Sequence, residues 1–396
     1  MDFTWPESVE IVRKTVREVL DQSWPERLRL YAMNEHIARD LHAAETVLTE
    51  VDTALIRKLW HDLAGADLFR IGVPEQFGGV GGGALERYTV ESEVAAVGAP
   101  LPSVALGVVV PTLLSLGRSK LADELMPRIL AGEIEFAIGY TEPDAGTDLA
   151  SLRTTAQRDG DEYLVRGQKL YTSGAHYSEY VWAAVRTDPD ASNHRGISLL
   201  VIPMDAPGIT VTPLHTMSGT QTNIVFLDDV RVPTSYLVGE ENKGWHYITH
   251  ALAHERYTAL LSSPLSKAYA ALAVCATADA DAEDVRSLAR LRAKVRAASL
   301  LSVSAAWAAS TGATVVAEAA MSKVAVSELR YDLARAAVDL LGADGLLTEH
   351  DPEAPAGGQF ERMLRHSYIT LFTAGANDVQ RDLVARLALG LPRSSP

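Results

Sequence analysis

The sequence predicts a mainly α-helical protein with a central β unit, in the order helices, strands, helices. Two observations carry this prediction. Apolar residues recur three and four positions apart in PESVEIVRKTVREVLDQ (6–22) and again in the Ala- and Leu-rich C-terminal part, which is the helical period. Between these parts, short β-rich runs such as GISLLVIPM (196–204) are separated by turn residues. Because helices and strands occupy separate blocks, a doubly wound α/β fold is excluded.

The points at which the pattern changes predict three domains. They are an N-terminal α-helical domain (1–133), a middle β domain (134–240) and a C-terminal helical bundle (241–396). Within the bundle, DADAED (279–284) and the Pro- and Gly-rich TEHDPEAPAGGQ (348–359) predict breaks between helices.

Composition and charge exclude several classes of function. The net charge is −15, from 36 basic and 51 acidic residues, which argues against a nucleic-acid partner and against docking on an anionic membrane. A single cysteine, Cys275, allows no internal disulfide and no cysteine metal cluster. The start lacks a signal-peptide pattern, and the longest apolar stretch (104–117) is too short to cross a bilayer. We therefore expect a cytoplasmic protein.

Two motifs are weak matches to known sites. Gly79-x-Gly81-x-x-Ala84 resembles a dinucleotide fingerprint, but no buried strand precedes it, so a glycine-rich loop is the better interpretation. His250 and His254 have the i, i+4 spacing of zinc ligands, but the sequence offers no third ligand nearby. We predict no metal site.

The segment GWHYITHALAHERYTALL (244–261) reads as a helix with an acidic residue on its apolar stripe. Ile248, Leu252 and Glu255 follow Trp245 at helical spacing. Burial raises the pKa of a carboxyl, which is the adjustment that a general base working near neutral pH needs. A structural network of Glu255 with Arg256 is the alternative; Arg256 could instead anchor an anionic ligand.

The stretch TEPDAGTD (141–148) follows the apolar run FAIGY. On these residues alone a tight turn is favoured, because Pro143 fixes φ and Gly146 tolerates a positive φ.

Four segments in this order resemble the flavin-dependent acyl-CoA dehydrogenases over essentially the whole chain. They are TEPDAGTD, RGQKLYTSGAHYSEYVWAAVRT (166–187), FLDDVRVP with VGEENKGW (226–245), and AGANDVQRDLVAR (374–386). The sequence is most similar in texture to actinobacterial members acting on steroid side-chain CoA esters. The resemblance implies an N-terminal helical domain, a middle β-barrel-like domain and a C-terminal four-helix bundle. It also implies FAD as cofactor and α,β-desaturation of an acyl-CoA thioester.

The resemblance further implies a flavin site in which Ser173 hydrogen-bonds near N5. The positions that it assigns to the cofactor are Ile138, Tyr140, Thr141, Gly146, Thr147, Tyr171, Thr172, Ser173, Gly342, Gly345 and Asp378. Those that it assigns to the substrate are Thr147, Arg256 and Ala374.

The sequence departs from the family pattern in three places. Many members carry the base in a Y-E-G-T motif, where this chain has Ala374; others carry it at the position of Glu255. Ala374 could still offer its backbone N–H to the thioester oxygen. The R-x-x-F-G motif is missing, and Asp339 stands where glutamine is common. The FAD stoichiometry and the oligomer are therefore left open.

By the same resemblance we expect a homodimer or tetramer, or a heterotetramer in which this chain carries the base, and an electron-transferring flavoprotein as acceptor. Two alternatives stay open. One is oxidation of a carrier-protein-bound acyl group, or flavin monooxygenation, on the same fold. The other is a structural subunit that completes the FAD site of another chain. The sequence sets neither the acyl group nor the thiol that carries it.

Overall fold

The computed structural model confirms the order helices, strands, helices. It describes residues 4–25, 50–255, 262–276, 280–313 and 315–392. Side chains are described at all of these positions except 50–53, 250 and 252–255.

The N-terminal part is helical because its apolar residues fall on one face of each helix. In the first helix the buried residues Val9, Val16 and Leu20 are spaced seven and four apart. The helices are α1 (Glu7–Ser23), α2 (Glu50–Gly65), α3 (Ala84–Ala96), α4 (Val110–Leu116) and α5 (Lys120–Leu130).

A π-helical turn, Ala105–Val109, leads directly into α4. Within it the Val110 N–H donates to the Ala105 carbonyl five residues back. The next carbonyl in this register, that of Leu106, would face Pro111, which has no N–H to donate. The guanidinium of Arg87 on α3 donates to the Leu106 carbonyl instead. The wide turn is thus stabilised by a side chain from a neighbouring helix.

The middle part is one seven-stranded curled sheet. Its strands are β1 (Phe136–Gly139), β2 (Thr155–Asp159), β3 (Glu162–Lys169), β4 (Tyr180–Arg186), β5 (Ile197–Pro203), β6 (Ile209–His215) and β7 (Gln221–Pro233). The order is β1-β4-β2-β3-β7-β6, with β5 also paired to β4. Strand β4 runs parallel to β1 and antiparallel to β5, and both β4 and β5 are buried along nearly their whole length. This burial explains their continuous apolar sequences.

The C-terminal part is helical again. Its helices are α6 (Gly244–Glu255), α7 (Ser263–Ala276), α8 (Ala282–Ser310), α9 (Val316–Leu341), α10 (Gln359–Thr370) and α11 (Asn377–Leu387). The acidic break in the sequence is the start of α8. There the Asp281 carboxylate accepts hydrogen bonds from the backbone of Glu283 and Asp284, at 2.7 and 3.0 Å.

Helix α6 packs against strand β5, the π-helical turn and α4. Ile248 and Ala251 of α6 belong to the same apolar core as Ala105, Val108 and Tyr140. This core therefore joins all three parts of the chain. Across the residues that the structure describes, no helix is both long and apolar enough to span a membrane.

Two buried glycines predict opposite effects of an added methyl group. A Cβ at Gly107, within the π-helical turn, would meet no heavy atom within 4 Å, whereas a Cβ at Gly139 would lie 2.5 Å from Cγ1 of Val181. We expect Gly107→Ala to raise the free energy of unfolding by about 0.5–1 kcal/mol, because glycine is unfavourable in a helix. The matched variant Gly139→Ala should lower it by about 1–3 kcal/mol. Urea denaturation of both variants checks the pair, and equal effects would contradict the packing described.

Candidate functional site

The structure brings together the two segments that the sequence assigns to a cofactor. The Leu170 N–H donates to the Thr141 carbonyl at 2.8 Å, which places the end of β1 beside the residues that follow β3. On the other side, the Thr172 N–H donates to the Asn223 carbonyl at 2.9 Å. Segments 138–141 and 171–173 therefore form one continuous surface at this edge of the sheet.

The first segment contributes mainly backbone and the Ile138 side chain. Ile138 is half-buried. Tyr140, by contrast, turns its ring into the core, where its hydroxyl accepts a hydrogen bond from Nε1 of Trp182 at 3.1 Å. A ligand on the outer surface could therefore meet the Tyr140 backbone but not its phenol.

A buried ion pair lies directly behind this surface. Nζ of Lys169, which is 0% exposed, donates to Oε1 of Glu142 at 2.7 Å and to the Ala184 carbonyl at 2.6 Å. The Glu142 carboxylate also accepts from the backbone N–H groups of Arg153, at 2.6 Å, and Thr154, at 3.0 Å. One carboxylate thus joins the end of β1, the end of β3 and the chain leading into β2.

The pair shifts the pKa of both partners. Burial lowers the pKa of Lys169 to about 8, against the attraction of Glu142. Burial would raise the pKa of Glu142, but the charge of Lys169 and the donated hydrogen bonds outweigh it and hold this pKa below its ordinary value. Both groups are therefore charged at neutral pH.

The turn after Glu142 has the geometry expected for TEPDAGTD. Glu142 and Ala145 exchange two backbone hydrogen bonds, of 3.0 and 3.1 Å. Gly146 and Thr147 follow on the exposed side of this turn. The anchoring residue of the segment is therefore Glu142, and the residues assigned to a ligand are those left accessible beyond it.

The second segment presents an aromatic ring and two hydroxyls. Tyr171 has a φ of 56° and is 58% exposed. The Thr172 hydroxyl is buried and has no hydrogen-bond partner among the described residues. The exposed Ser173 donates from its hydroxyl to that of Thr222 at 3.1 Å. A buried hydroxyl without a partner costs free energy unless a ligand supplies one.

Glu135 connects this edge of the sheet to the π-helical turn. Its carboxyl group, one residue before β1, accepts from the backbone N–H groups of Val104 and Ala105 at 2.9 and 3.3 Å. Burial raises the pKa of Glu135 to about 8. Because α6 packs on the same turn, Glu135 also fixes the start of β1 relative to α6.

Helix α6 ends at the residue that the sequence assigns as a base. Among the side chains of α6 that the structure describes, those of Tyr247, Ile248 and Ala251 are buried, and position 255 follows Ala251 by one helical turn. The side chain of Glu255 and all of Arg256 lie outside the described residues, so their assigned roles stay predictions.

The remaining assigned residues lie in the C-terminal bundle. Ala374, in the turn between α10 and α11, has a φ of 51°. Asp378 is in the first turn of α11, where its exposed carboxyl lies 3.9 Å from Nη1 of Arg381. Gly342 and Gly345 form a 3₁₀ turn that packs against α9 and α10. The structure thus places them apart from the hydrogen bonds that join the two strand-end segments.

Sequence reasoning missed the buried ion pair. Glu142 and Lys169 are 27 residues apart in the sequence. Each lies next to residues that the sequence assigns to the cofactor, so neither stands out as a structural charge. The available signal was a lysine in an otherwise half-apolar strand, Glu162–Lys169, facing inward at its last position.

Comparison with known proteins gives matches over nearly the whole chain. Residues 6–133 match the N-terminal domain of acyl-CoA dehydrogenases, 137–230 the middle domain and 242–389 the C-terminal domain. Acyl-CoA dehydrogenase FadE26 of Mycobacterium tuberculosis is 40% identical over 340 residues, which cover 82% of this chain and 85% of that protein. FadE29 of the same organism is 39% identical over 355 residues, covering 86% and 88%.

Solved structures of similar proteins have the same fold. A chain of the Tcur3481-Tcur3483 steroid ACAD is 35% identical, with a TM-score of 0.88 and 100% of both chains covered. A chain of the ChsE4-ChsE5 complex from Mycobacterium tuberculosis is also 35% identical, with a TM-score of 0.85 and 100% of both chains covered.

Removing the buried cation should destabilise the protein strongly. We expect Lys169→Met to lower the free energy of unfolding by about 3–5 kcal/mol, because Glu142 is left as an uncompensated buried charge. The double variant Lys169→Met/Glu142→Gln should recover part of the loss, because the amide is neutral and its oxygen still accepts from the backbone. Lys120→Met, at an exposed lysine, is the control. A loss within about 1 kcal/mol for Lys169→Met, as for a surface ion pair, would show that Lys169 does not compensate a buried charge.

The Glu142–Lys169 ion pair also predicts how the stability of the protein changes at acidic pH. Because the pKa of Glu142 in the folded protein lies below 4.5, its contribution to stability is complete above pH 4.5 and is lost as the pH falls through the lower folded value. We expect the urea midpoint of Glu142→Gln to depend less on pH below 4.5 than that of the wild type. Glu75→Gln, which removes an exposed carboxyl, serves as the matched variant. If the urea midpoints of wild type and Glu142→Gln changed in parallel with pH, protonation of the Glu142 carboxyl would not account for the loss of stability in acid.

Proposed function

This chain belongs to the acyl-CoA dehydrogenase family, and we propose that it desaturates an acyl-CoA thioester between its α and β carbons with Glu255 as the base. Enzymes of this family are FAD-dependent oxidoreductases. The observation that carries the proposal is the convergence of segments 138–141 and 171–173 at one sheet edge, which Glu135 and the π-helical turn connect to the helix ending at Glu255.

The residues at this edge fit a flavin. The exposed Tyr171 ring and the half-buried Ile138 side chain offer apolar surface. The exposed Ser173 hydroxyl and the Thr172 hydroxyl, which has no hydrogen-bond partner among the described residues, offer hydrogen bonds to ring heteroatoms. FAD, when bound, supplies a hydride acceptor at N5. Ser173 is the residue that we assign to hydrogen-bond near N5, and Gly146 and Thr147 are those that we assign to the pyrophosphate and the acyl-CoA chain.

Glu255 is the carboxylate that we assign to remove the α-proton. It continues the face of α6 on which Tyr247, Ile248 and Ala251 are buried. An apolar setting raises the pKa of a carboxyl toward neutrality, where a general base is most effective. Because Ala374 stands where many relatives carry a glutamate, no second carboxylate competes for this role at that position.

Polarisation of the thioester carbonyl is the second requirement of the reaction, because negative charge develops on its oxygen when the α-proton leaves. Backbone N–H groups are suited to this role since they need no particular side chain. We assign it to the Ala374 N–H, which lies in a tight turn with a positive φ. Arg256 is assigned to the anionic part of CoA.

The relatives support a proposal for the substrate class. Two similar chains, each 35% identical over their whole length, come from a steroid ACAD and from the ChsE4-ChsE5 complex. We therefore propose a ring-bearing acyl group, assembly with a second copy or a related chain, and an electron-transferring flavoprotein as the electron acceptor.

An anaerobic titration of the purified protein with short, branched and steroid-bearing acyl-CoAs tests the function directly. We expect the absorbance of the oxidised flavin to be bleached by one class, and most strongly by the steroid-bearing esters. A flavin that no acyl-CoA bleaches would overturn the proposed reaction. Protein that acquires flavin only after a second chain is added would instead identify this chain as one half of a heteromeric site.

Loss of the base should abolish turnover without loss of the cofactor. We expect Glu255→Gln to lower the rate of flavin bleaching by about 10²–10⁴-fold, the usual contribution of a general base. Its flavin absorbance should match that of the wild type. Glu240→Gln, an exposed carboxyl before α6, is the control and should leave the rate unchanged. Bleaching by Glu255→Gln at the wild-type rate would show that another group takes the proton.

A further inference from the structure

The hydroxyl of Ser173, which we assign to N5 of the flavin, has a polar neighbour on β7. It donates a hydrogen bond to Oγ1 of Thr222 at 3.1 Å. Thr222 is 5% exposed and is the second residue of β7, whereas Ser173 is exposed at the sheet edge. The single hydrogen of this hydroxyl is therefore directed toward the buried threonine, and the lone pairs of the serine oxygen are left for a ligand at the surface.

The next residue of β7, Asn223, holds the backbone of the same segment. It is fully buried. Its main-chain carbonyl accepts from the Thr172 N–H at 2.9 Å, and its Nδ2 donates to the Thr172 carbonyl at 3.0 Å. Both polar groups of the Thr172 backbone are thus bound by one residue. The peptide planes on either side of Thr172 are fixed by these bonds, and so is the starting point of the Ser173 side chain.

Further contacts determine the orientation of the Asn223 amide. Its Nδ2 lies 2.9 Å from Nδ1 of His176, and its Oδ1 accepts from Nε2 of Gln221 at 3.1 Å. Because the Thr172 carbonyl can only accept, the amide group that faces it is the NH₂, and Nδ1 of His176 accepts from the same NH₂. A rotation of the amide by 180° would bring its oxygen against the lone pairs of both partners. The amide therefore has one favourable orientation.

The segment itself has a bent backbone that needs such support. Tyr171 has a φ of 56°, a left-handed conformation that residues other than glycine seldom adopt. The Ser173 N–H donates back to the Tyr171 carbonyl at 3.0 Å. Two consecutive residues of β7 thus hold this bend, Asn223 by its main chain and amide and Thr222 by the serine hydroxyl.

The direction of the Ser173 hydroxyl has a chemical consequence, because N5 of a flavin changes its hydrogen-bonding role on reduction. In the oxidised flavin N5 accepts hydrogen bonds, and in the reduced flavin it carries a hydrogen and donates one. A serine oxygen whose hydrogen is engaged by Thr222 offers lone pairs and so matches the reduced form. A serine free to turn its hydrogen outward would match the oxidised form.

We propose that Thr222 is a positioning residue that raises the reduction potential of the bound flavin, by holding the Ser173 hydroxyl in the orientation that accepts a hydrogen bond from N5. This inference rests on the proposed function and makes it more specific. It gives a residue outside both cofactor segments control over the free energy of hydride transfer from the acyl group.

Anaerobic reductive titration of the flavoprotein against a reference dye measures the midpoint potential without any acyl-CoA. We expect Thr222→Val, which keeps the branched shape and removes the acceptor, to lower the ratio of reduced to oxidised flavin at a given potential about tenfold, or about 30 mV for a two-electron couple. Thr222→Ser keeps the hydroxyl and should behave like the wild type. Thr212→Val, at an exposed threonine of β6, is the control and should have no effect. Equal potentials for wild type and Thr222→Val would overturn the proposal.

A double-variant cycle separates an action through Ser173 from a general structural effect. We expect Ser173→Ala to lower the potential as well, because N5 loses its acceptor, and Thr222→Val to cause no further shift in the Ser173→Ala background. The same shift in both backgrounds would show that Thr222 does not act through Ser173, and the proposal would be wrong.

The measurement also distinguishes this inference from the proposed function. A wild type that binds no flavin, alone or with a second chain, refutes both. Bound flavin that no acyl-CoA bleaches refutes the desaturation, while the potentials of the variants still test the role of Thr222. Bleaching by an acyl-CoA with an unchanged potential in Thr222→Val refutes this inference alone.

Discussion

The buried ion pair of Glu142 and Lys169 is the constraint on which the surface of segments 138–141 and 171–173 depends. An ammonium group with no exposure and a carboxylate with 7% exposure are tolerated only if every donor and acceptor is matched. The matching partners are the carbonyl of Ala184 and the backbone N–H groups of Arg153 and Thr154. These groups come from separate strands and turns, so satisfying two charges fixes their relative positions. The surface of segments 138–141 and 171–173 therefore lies on the outer side of this network of buried charges and hydrogen bonds, which forms only in the folded protein.

A second buried carboxyl group, that of Glu135, connects the sheet to the helical part of the chain. Glu135 accepts from the first backbone N–H groups of the π-helical turn, and Arg87 donates to the carbonyl that Pro111 leaves without a partner. Glu135 thus satisfies N–H groups that the start of any helix leaves without an intrahelical acceptor, and Arg87 satisfies a carbonyl that a regular α-helix would have paired. The π-helical turn is thereby held between Glu135, one residue before β1, and α6. The distance between the surface of segments 138–141 and 171–173 and the helix that ends at Glu255 is therefore set in part by the N-terminal part of the chain, which carries none of the assigned site residues.

The sequence predicts the order of helices and strands well because periodicity is a local property. It also identifies TEPDAGTD as a turn and Asp281 as part of a break between helices, since turn and cap chemistry is local as well. It does not reveal that Glu142 reaches Lys169, because the pairing depends on how β1 and β3 are placed in space. Nor does it reveal that the Tyr140 ring points into the core, where Trp182 offers a donor. The assignments of Glu255, Arg256 and Ala374 stay predictions, since they depend on side chains or ligands beyond the described contacts.

The backbone position of residue 255 is determined by contacts at the other end of α6 and along its length. A Cβ at Gly244, the first residue of α6, would lie 2.6 Å from the carbonyl carbon of Ser198, so the helix begins in direct contact with the backbone of β5. From there α6 packs along β5 and the π-helical turn, and close-packed interiors leave little freedom to shift such a helix. Its length then determines where residue 255 falls. A glycine at the start of the helix and a proline in the N-terminal domain thereby determine where residue 255 lies, about 16–17 Å of helix beyond the glycine. Helix α6 and the surface of segments 138–141 and 171–173 are each held by their own contacts, so the proposed place of the base on α6, and not in the turn at Ala374, requires no change in that surface.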